Sequence, residues 1–141
     1  MINTEEIAAE VARLHAFISG WFRGELERSP SAFDQGFTSV LADGFVNVQP
    51  SGEILLKNDL LAPIEAAFGR NRDFYIEVSE IKIRKAIGED FCLATYLEFQ
   101  RGAKNTDPSD NYRRSTVLFE SVEGKLIWHH IHETAVKVTD L

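Results

Sequence analysis

Cysteine, proline and tryptophan are scarce in this chain of 141 residues, which contains one cysteine, Cys92, four prolines and two tryptophans. One cysteine cannot form an intrachain disulfide or supply the thiolate cluster of a structural zinc site. The absence of an intrachain disulfide fits a reducing compartment, and we expect a cytoplasmic protein. The first ten residues contain glutamates instead of a basic leader, and no apolar run approaches the roughly 18 residues of a membrane helix. We therefore expect no membrane partner.

Clustered positive charge is also missing. Acidic residues outnumber basic ones by 22 to 15, a formal net charge of −7, and the densest basic clusters are the pairs Arg70/Arg72 and Arg113/Arg114. Since phosphate backbones attract clustered Lys and Arg, we expect no nucleic-acid partner. The sequence contains no glycine-rich phosphate loop following a strand and no Gly-x-Ser-x-Gly elbow. We accordingly expect no cofactor.

Apolar residues are plentiful, at 44% of the chain with ten phenylalanines. A chain of this length buries enough surface to fold without a disulfide or a metal. No internal repeat, low-complexity tract or Gly/Ser/Pro-rich linker divides it. The sequence therefore predicts a single domain over residues 1–141.

Helical periodicity dominates the first half of the chain. Apolar residues at helical spacing predict a long helix over 4–27, with Asn3 placed to cap it. Ser29-Pro30 is a second start signal, and that helix is expected to end near Asp43-Gly44. A strand over 45–49 and a turn follow. Asn58 is then expected to cap a third helix that ends before Gly69. Four strands are predicted in the rest of the chain, over 74–84, 91–100, 112–122 and 125–138.

Helices first and strands second predict an α+β fold, in which a curved, mainly antiparallel sheet wraps around the long first helix. In the strand over 74–84, Phe74, Ile76 and Val78 stand at even-numbered positions and Ile81 and Ile83 at odd-numbered ones, so a regular strand would point the two sets to opposite faces. A bulge near Ser79-Glu80 would keep all five inside and would curve the strand. Such a curved sheet leaves a hollow at its open end, where we expect a ligand pocket.

Three features of the chain resemble the nuclear transport factor 2-like superfamily. They are the order of the elements, the turn Pro50-Ser51-Gly52, and the last-strand segment Gly-Lys-Leu-Ile-Trp-His-His-Ile-His-Glu-Thr over 124–134. Within it, the chain is most similar to the SnoaL-like and calcium/calmodulin-dependent kinase II association-domain branch, although Trp128 lies two places later than in that pattern. The resemblance implies a cone-shaped sheet with three helices, a pocket and a homodimer. Members range from lyases, cyclases and isomerases to binding modules.

One departure from this resemblance concerns ketosteroid isomerase, a member of the same superfamily. That enzyme uses an Asp general base near a strand turn. Its Asp-Pro-x-Gly is similar to Gln49-Pro50-Ser51-Gly52 here, where a neutral amide replaces the base. We therefore expect that chemistry to be absent.

The histidines of the last strand are the first candidate site. Alternation places His129 and Glu133 on one face and His130 and His132 on the other. A two-residue or a three-residue loop at Glu123-Gly124 would turn opposite faces inward. We favour the three-residue loop, which groups His129 and Glu133 with an apolar wall and with Arg113. His130 and His132 lack an evident third ligand, and we expect no metal.

Three further candidates are Tyr96, Glu98 and Arg113. We expect Tyr96 and Glu98 to face the pocket, because in resembling domains the other face, with Leu97 and Phe99, packs against a second subunit. Arg113 either binds a ligand carboxylate or neutralises Glu98 from the neighbouring strand. Trp21 either lines the pocket or belongs to the core.

These residues lead to two hypotheses. In the first, the chain binds a small organic molecule and is a cofactor-free lyase, isomerase or cyclase type of enzyme, in which His129 or Glu98 transfers a proton and Tyr96 is a hydrogen-bond donor. Arg113, Glu133 and Trp21 would bind the ligand. In the second, the chain is a non-catalytic association module that uses its outer sheet face. Neither the ligand nor the reaction follows from the sequence.

Overall fold

The computed structural model describes residues 1–141 and has the predicted α+β architecture. The helices are α1 (Thr4–Arg23), α2 (Pro30–Gly36) and α3 (Lys57–Ala66), and short 3-10 turns span Thr38–Val40 and Val138–Asp140. The strands are β1 (Leu41–Val48), β2 (Ile54–Leu56), β3 (Tyr75–Ile87), β4 (Phe91–Arg101), β5 (Asn111–Val122) and β6 (Lys125–Val136). None of the helices is both long and apolar enough to cross a bilayer.

The six strands form one mixed sheet in the order β2-β1-β6-β5-β4-β3. Only β1 and β6 are parallel; the other neighbours are antiparallel. Helix α1 packs across the concave face of the sheet, with Ile7 and Val11 fully buried against strand residues such as Val117 and Phe119. The predicted wrapping of a curved sheet around a long first helix is confirmed.

Two of the predicted helix starts are confirmed by their caps. The Asn3 side chain accepts a hydrogen bond from the Glu6 N–H (2.9 Å), and the Ser29 hydroxyl accepts one from the Ala32 N–H (3.0 Å), with Pro30 at the first helical position. These bonds satisfy amide groups that have no partner inside the helix.

The other helix boundaries differ from prediction. Helix α1 ends at Arg23 because Gly24 adopts the left-handed conformation, with φ 76°. Helix α2 ends at Gly36, after which the 3-10 turn and the start of β1 place Val40 and Leu41 in the core. Helix α3 begins at Lys57. Asn58 is not its cap, because the carboxylate of Asp59 accepts the Leu56 N–H (2.8 Å) instead.

The predicted bulge in β3 is present. The register with β4 shifts between Ser79 and Lys82, and Glu80 has a positive φ of 52°. Val78 before the bulge and Ile81 and Ile83 after it all pack against the core. The extra residue therefore keeps both halves of the strand facing inward, as expected.

The β5–β6 hairpin differs from the favoured register. Val122 pairs with Lys125, so the loop has two residues, Glu123 and Gly124, and both have positive φ (51° and 79°), as a type I′ turn requires. The predicted three-residue loop is wrong. Farther along, Val117 pairs with Ile131 and both are buried, which is the inward face that the three-residue loop was expected to give.

A bulge in β6 accounts for both observations. Phe119 pairs with Trp128, whereas the preceding Leu118 pairs with His130, so His129 is an extra residue without a partner. Trp128 and Ile131 are both buried although three positions apart. The prediction that His129 shares a face with Ile131 and Glu133 is therefore wrong, because the bulge turns His129 outward and reverses the alternation beyond it.

Candidate functional site

A cavity of about 710 Å³ lies between α1, α3 and the concave face of the sheet, and the loop between β4 and β5 borders it. Its wall is mainly apolar with one polar region, and its exposed lining residues, Pro63 of α3 with Arg70, Lys104 and Asn105 of the loops, mark the entrance. The apolar wall includes Leu14, Ile18, Phe22, Phe37, Phe45, Leu60, Ile64, Phe74, Trp128 and Ile131. The polar lining comprises His15, Asn47, Gln49, Asn71, Glu98, Gln100, Arg113 and Glu133, with Arg70, Lys104, Asn105 and Thr106 from the loops. This combination is typical of a small-molecule site.

Strand alternation and register place the polar groups in two rows on the inner face. Tyr96 of β4 is opposite Ser115 of β5, which is opposite Glu133 of β6. Two residues along β4, Glu98 is opposite Arg113. All five side chains face the same side of the sheet, since residues two apart on a strand share a face.

His15 of α1 lies over these rows and contacts two of their members. Its Nε2 is 3.0 Å from Glu98 Oε1 and 3.2 Å from the Tyr96 hydroxyl, and its Nδ1 is 2.8 Å from the Val11 carbonyl oxygen. The side chains of His15 and Glu98 are only 6% and 4% exposed. The second oxygen of Glu98 accepts a hydrogen bond from the Gln100 amide (2.6 Å). An imidazole and a carboxylate thus meet at the cavity wall, almost fully removed from bulk water.

The contacts of His15 define its protonation. Nδ1 must carry a hydrogen, because a carbonyl oxygen only accepts. Burial lowers the pKa of His15, but the charge of Glu98 and the hydrogen bonds to Glu98 and Val11 outweigh it, so the pKa is raised overall. Burial raises the pKa of Glu98, yet the charge and hydrogen bond of His15, the Gln100 amide and the charge of Arg113 lower it overall. Each partner thus favours the charged form of the other, and when His15 is protonated its Nε2–H donates to Glu98.

Tyr96 is completely buried behind this pair. Burial, together with the charges of Glu98 and Glu133, raises its pKa well above the ordinary value. The phenol therefore stays protonated. Next to it in the row is the fully buried hydroxyl of Ser115.

A second ion pair lies beside the first. Arg113 Nη1 donates to Glu133 Oε2 (2.9 Å), and Asn47 Nδ2 donates to Glu133 Oε1 (2.9 Å). Gln49 in turn donates to the Asn47 amide oxygen. Arg113 therefore forms its salt bridge with Glu133, although it is opposite Glu98 in register and its charge lowers the pKa of Glu98. The predicted ion pair of Arg113 with Glu98 is therefore not formed, because Glu133 on the other neighbouring strand takes the guanidinium instead.

Glu98, Arg113 and Glu133 line the cavity, and the other sequence candidates do not. Tyr96 lies behind His15, within the core. His129 is on the outer face, where Nε2 contacts Glu120 Oε1 (2.7 Å), so it cannot act in the cavity.

Trp21 is a core residue. It is 1% exposed, and its indole N–H donates to the Ile64 carbonyl oxygen (3.0 Å). It does not line the cavity, so the predicted ligand contact of Trp21 is wrong and the alternative, a core position, is right. The next residue of α1, Phe22, does line the cavity. The indole is directed at the α3 backbone because the tryptophan N–H requires an acceptor when buried.

Sequence reasoning missed His15, Asn47 and Gln100 as members of the site. His15 could have been found, because it interrupts the apolar face of the first helix between Leu14 and Ile18. A buried histidine needs hydrogen-bond partners, and those partners come from another element. No group of three or more His, Cys, Asp or Glu residues is arranged to hold a metal ion.

No protein-family profile matches the sequence, and no curated protein sequence does either. Solved structures do match. An NTF2-like protein of unknown function from Pseudomonas aeruginosa is 27% identical, with a TM-score of 0.81, and the match covers 94% of this chain and 99% of that one. An NTF2-like protein from Cytophaga hutchinsonii is 18% identical, with a TM-score of 0.72, over 96% of this chain and 100% of that one.

The association domain of C. elegans CaMKII is also similar, with 12% identity, a TM-score of 0.62 and coverage of 94% of this chain and 99% of that one. The predicted resemblance is thus confirmed at the level of fold, and association domains are among the structural neighbours. The chain is a protein with the nuclear transport factor 2-like fold.

Proposed function

We propose that this protein binds a small organic molecule in the cavity and transfers a proton to or from it through Glu98, paired with His15. The observation that carries the proposal is the placement of a buried imidazole and carboxylate, 3.0 Å apart, in the wall of a cavity of about 710 Å³. Paired ionisable groups with opposing pKa shifts in a cavity mark candidate acid–base sites. The reaction class would be a lyase, isomerase or cyclase step.

The cost of burying this pair supports a role beyond stability. Two charges taken out of water cost several kcal/mol each, and replacing such a pair by apolar residues is often neutral or stabilising. A purely structural role would also be served by apolar side chains at positions 15 and 98, which would continue the apolar wall. Retaining an imidazole and a carboxylate next to the cavity is consistent with chemistry on a bound molecule.

Each residue has a definable role in this proposal. Glu98 would accept or donate the proton, since it lines the cavity and each of its oxygens retains one lone pair beyond the bonds from His15 and Gln100. His15 would stabilise the ionised carboxylate and lose that interaction when Glu98 is protonated. Arg113 has a free Nη2 and would donate to an oxygen on which negative charge develops.

The experiment measures deuterium incorporation at carbon. The protein is incubated in D₂O with a mixture of small ketones, hydroxy acids and unsaturated acids, and carbon-bound deuterium is detected by mass spectrometry. We expect enzyme-dependent incorporation into at least one compound. Glu98→Gln should reduce it about 100-fold or more, the usual contribution of general acid–base catalysis.

The matched control is Glu120→Gln. Glu120 also pairs with a histidine, His129, at 2.7 Å, but this pair lies on the outer face, so its loss should leave incorporation unchanged. Equal incorporation by the wild type and Glu98→Gln, or none by either while compounds bind, would contradict the proton-transfer role.

We also propose that the outer face of the sheet pairs with a second copy of the chain. This face carries Leu93, Phe99, Tyr112 and Leu118, which are half-buried, and α1 packs on the opposite, concave side. Apolar side chains on an uncovered sheet face favour association. Light scattering should then give twice the 15.9 kDa of one chain, and a mass of one chain would contradict the proposal.

A further inference from the structure

Two cations stand at the entrance of the cavity. Arg70 follows α3, Lys104 belongs to the loop between β4 and β5, and both are exposed and line the cavity. The two segments are joined by hydrogen bonds, from Lys104 Nζ to the Arg70 carbonyl oxygen (2.6 Å) and from the Asn71 amide to the Gly102 carbonyl oxygen (2.8 Å). The entrance thus has a defined pair of positive charges on connected backbone segments.

These two cations differ from every other charged group of the lining. His15 is paired with Glu98, and Arg113 with Glu133, so the polar region inside the cavity is balanced. Arg70 and Lys104 are the remaining charged residues of the lining, and neither has a carboxylate within 4.0 Å. The cavity therefore carries an excess of two positive charges at its entrance, on a chain whose formal charge is −7.

We propose that the ligand of this cavity is an organic acid with an apolar body, bound with its carboxylate at the entrance between Arg70 and Lys104. The inference rests on the proposed function and adds the substrate class. The apolar wall would contact the body of the molecule, and the end farthest from the carboxylate would reach Glu98 and Gln100.

Three features favour a carboxylate at the entrance over a charged group deeper inside. The inner carboxylates would repel a second anion, and Arg113 is already neutralised by Glu133. The guanidinium of Arg70 can bind a carboxylate bidentately, and Lys104 Nζ keeps two hydrogens after donating to the backbone.

A phosphate ester would need more donors than a carboxylate, and no glycine-rich loop or second basic cluster supplies them. A monoanion is the best match.

The test compares acids with their neutral isosteres. Isothermal titration calorimetry would measure binding of 2-naphthoate, 2-naphthamide, decanoate and decanamide to the wild type, in low salt. We expect each acid to bind more tightly than its amide. The double variant Arg70→Gln/Lys104→Gln should weaken the acids about three- to tenfold, the size expected for exposed ion pairs, and should leave the amides unchanged.

The control is Arg72→Gln/Lys85→Gln. Both residues are exposed, neither lines the cavity, and the pair removes the same net charge. An equal loss in the control, or acids that bind no better than amides, would overturn the inference while leaving the proposed ligand site in place. If none of the four compounds binds the wild type, the proposed function itself is contradicted, and the inference with it. Added salt should weaken only the acids.

Discussion

Replacing His15 by Gln tests the central interaction of the site, because it removes one charge and leaves the other buried. Glu98 would lose the contact at 3.0 Å and keep only the Gln100 amide and the more distant charge of Arg113. Removing one partner of a buried pair costs roughly 3–5 kcal/mol of unfolding free energy. Since natural domains are stable by about 5–15 kcal/mol, the variant should remain folded but be clearly weakened.

A double variant separates the pair from the two single changes. In His15→Gln/Glu98→Gln no charge remains unpaired, and the two amides can hydrogen-bond to each other. We expect the double variant to be more stable than His15→Gln alone, with a coupling energy of about 1–3 kcal/mol. Glu98→Gln alone should cost less than His15→Gln. Burial then favours neutral His15, whose Nε2 accepts a hydrogen bond from the amide introduced at position 98 or from the Tyr96 hydroxyl.

The pH dependence follows from the directions of the two pKa shifts. The raised pKa of His15 contributes stability that is fully present below pH 6.5 and lost as the pH rises through the folded-state pKa. The lowered pKa of Glu98 contributes stability that is present above pH 4.5 and lost as the pH falls through the folded-state pKa. The pair therefore contributes most between about pH 4.5 and 6.5. In His15→Gln, burial instead raises the Glu98 pKa, so that variant should become more stable as the pH falls from 7 to 5.

Urea unfolding followed by tryptophan fluorescence measures these effects, because Trp21 and Trp128 are both buried in the folded state. The reasoning would be refuted by a His15→Gln cost below about 1 kcal/mol together with additive single and double changes. It would also be refuted if the variant and the wild type had the same stability profile between pH 5 and pH 8.

Three further predictions concern packing and assembly. A methyl group added in Gly36→Ala would overlap the Phe17 ring, and we expect a loss of about 1–3 kcal/mol in urea unfolding; an unchanged midpoint would show that Phe17 moves freely. Trp128→Phe removes the indole N–H that donates to Glu10 (2.8 Å) and should cost about 1–3 kcal/mol, whereas no loss would mean that this bond adds nothing. Leu118→Glu on the outer face should halve the mass measured by light scattering, and a dimer that persists would place the contact elsewhere.

Local signals made the helix starts and the bulge in β3 predictable. Asn3 and Ser29-Pro30 act within one turn of the helix that they begin, so their effect does not depend on the rest of the fold. The bulge at Ser79-Glu80 could be deduced because the hydrophobic parity changes on either side of it. The inward position of Glu98 likewise followed from alternation combined with the family resemblance.

The arrangement of the site depended on long-range structure. His15 contacts Glu98 across 83 residues of sequence, and only the packing of α1 on the sheet decides which strand residue it meets. The bulge at His129 also escaped prediction. Apolar residues of β6 occur at both parities, Leu126 and Trp128 at one and Ile127 and Ile131 at the other, so the sequence accommodates two registers, and pairing with β5 selects a different one on each side of the bulge.

The four histidines provide the most direct test of where a ligand binds. One, His15, lies at the cavity, and the other three, His129, His130 and His132, lie on β6 outside the cavity lining. Histidine side-chain NMR spectra would be recorded without and with the acid, 2-naphthoate or decanoate, that binds more tightly in calorimetry. The account predicts that the His15 resonances shift and that the resonances of the three β6 histidines keep their chemical shifts. Shifts confined to the β6 histidines, with His15 unchanged, would contradict it.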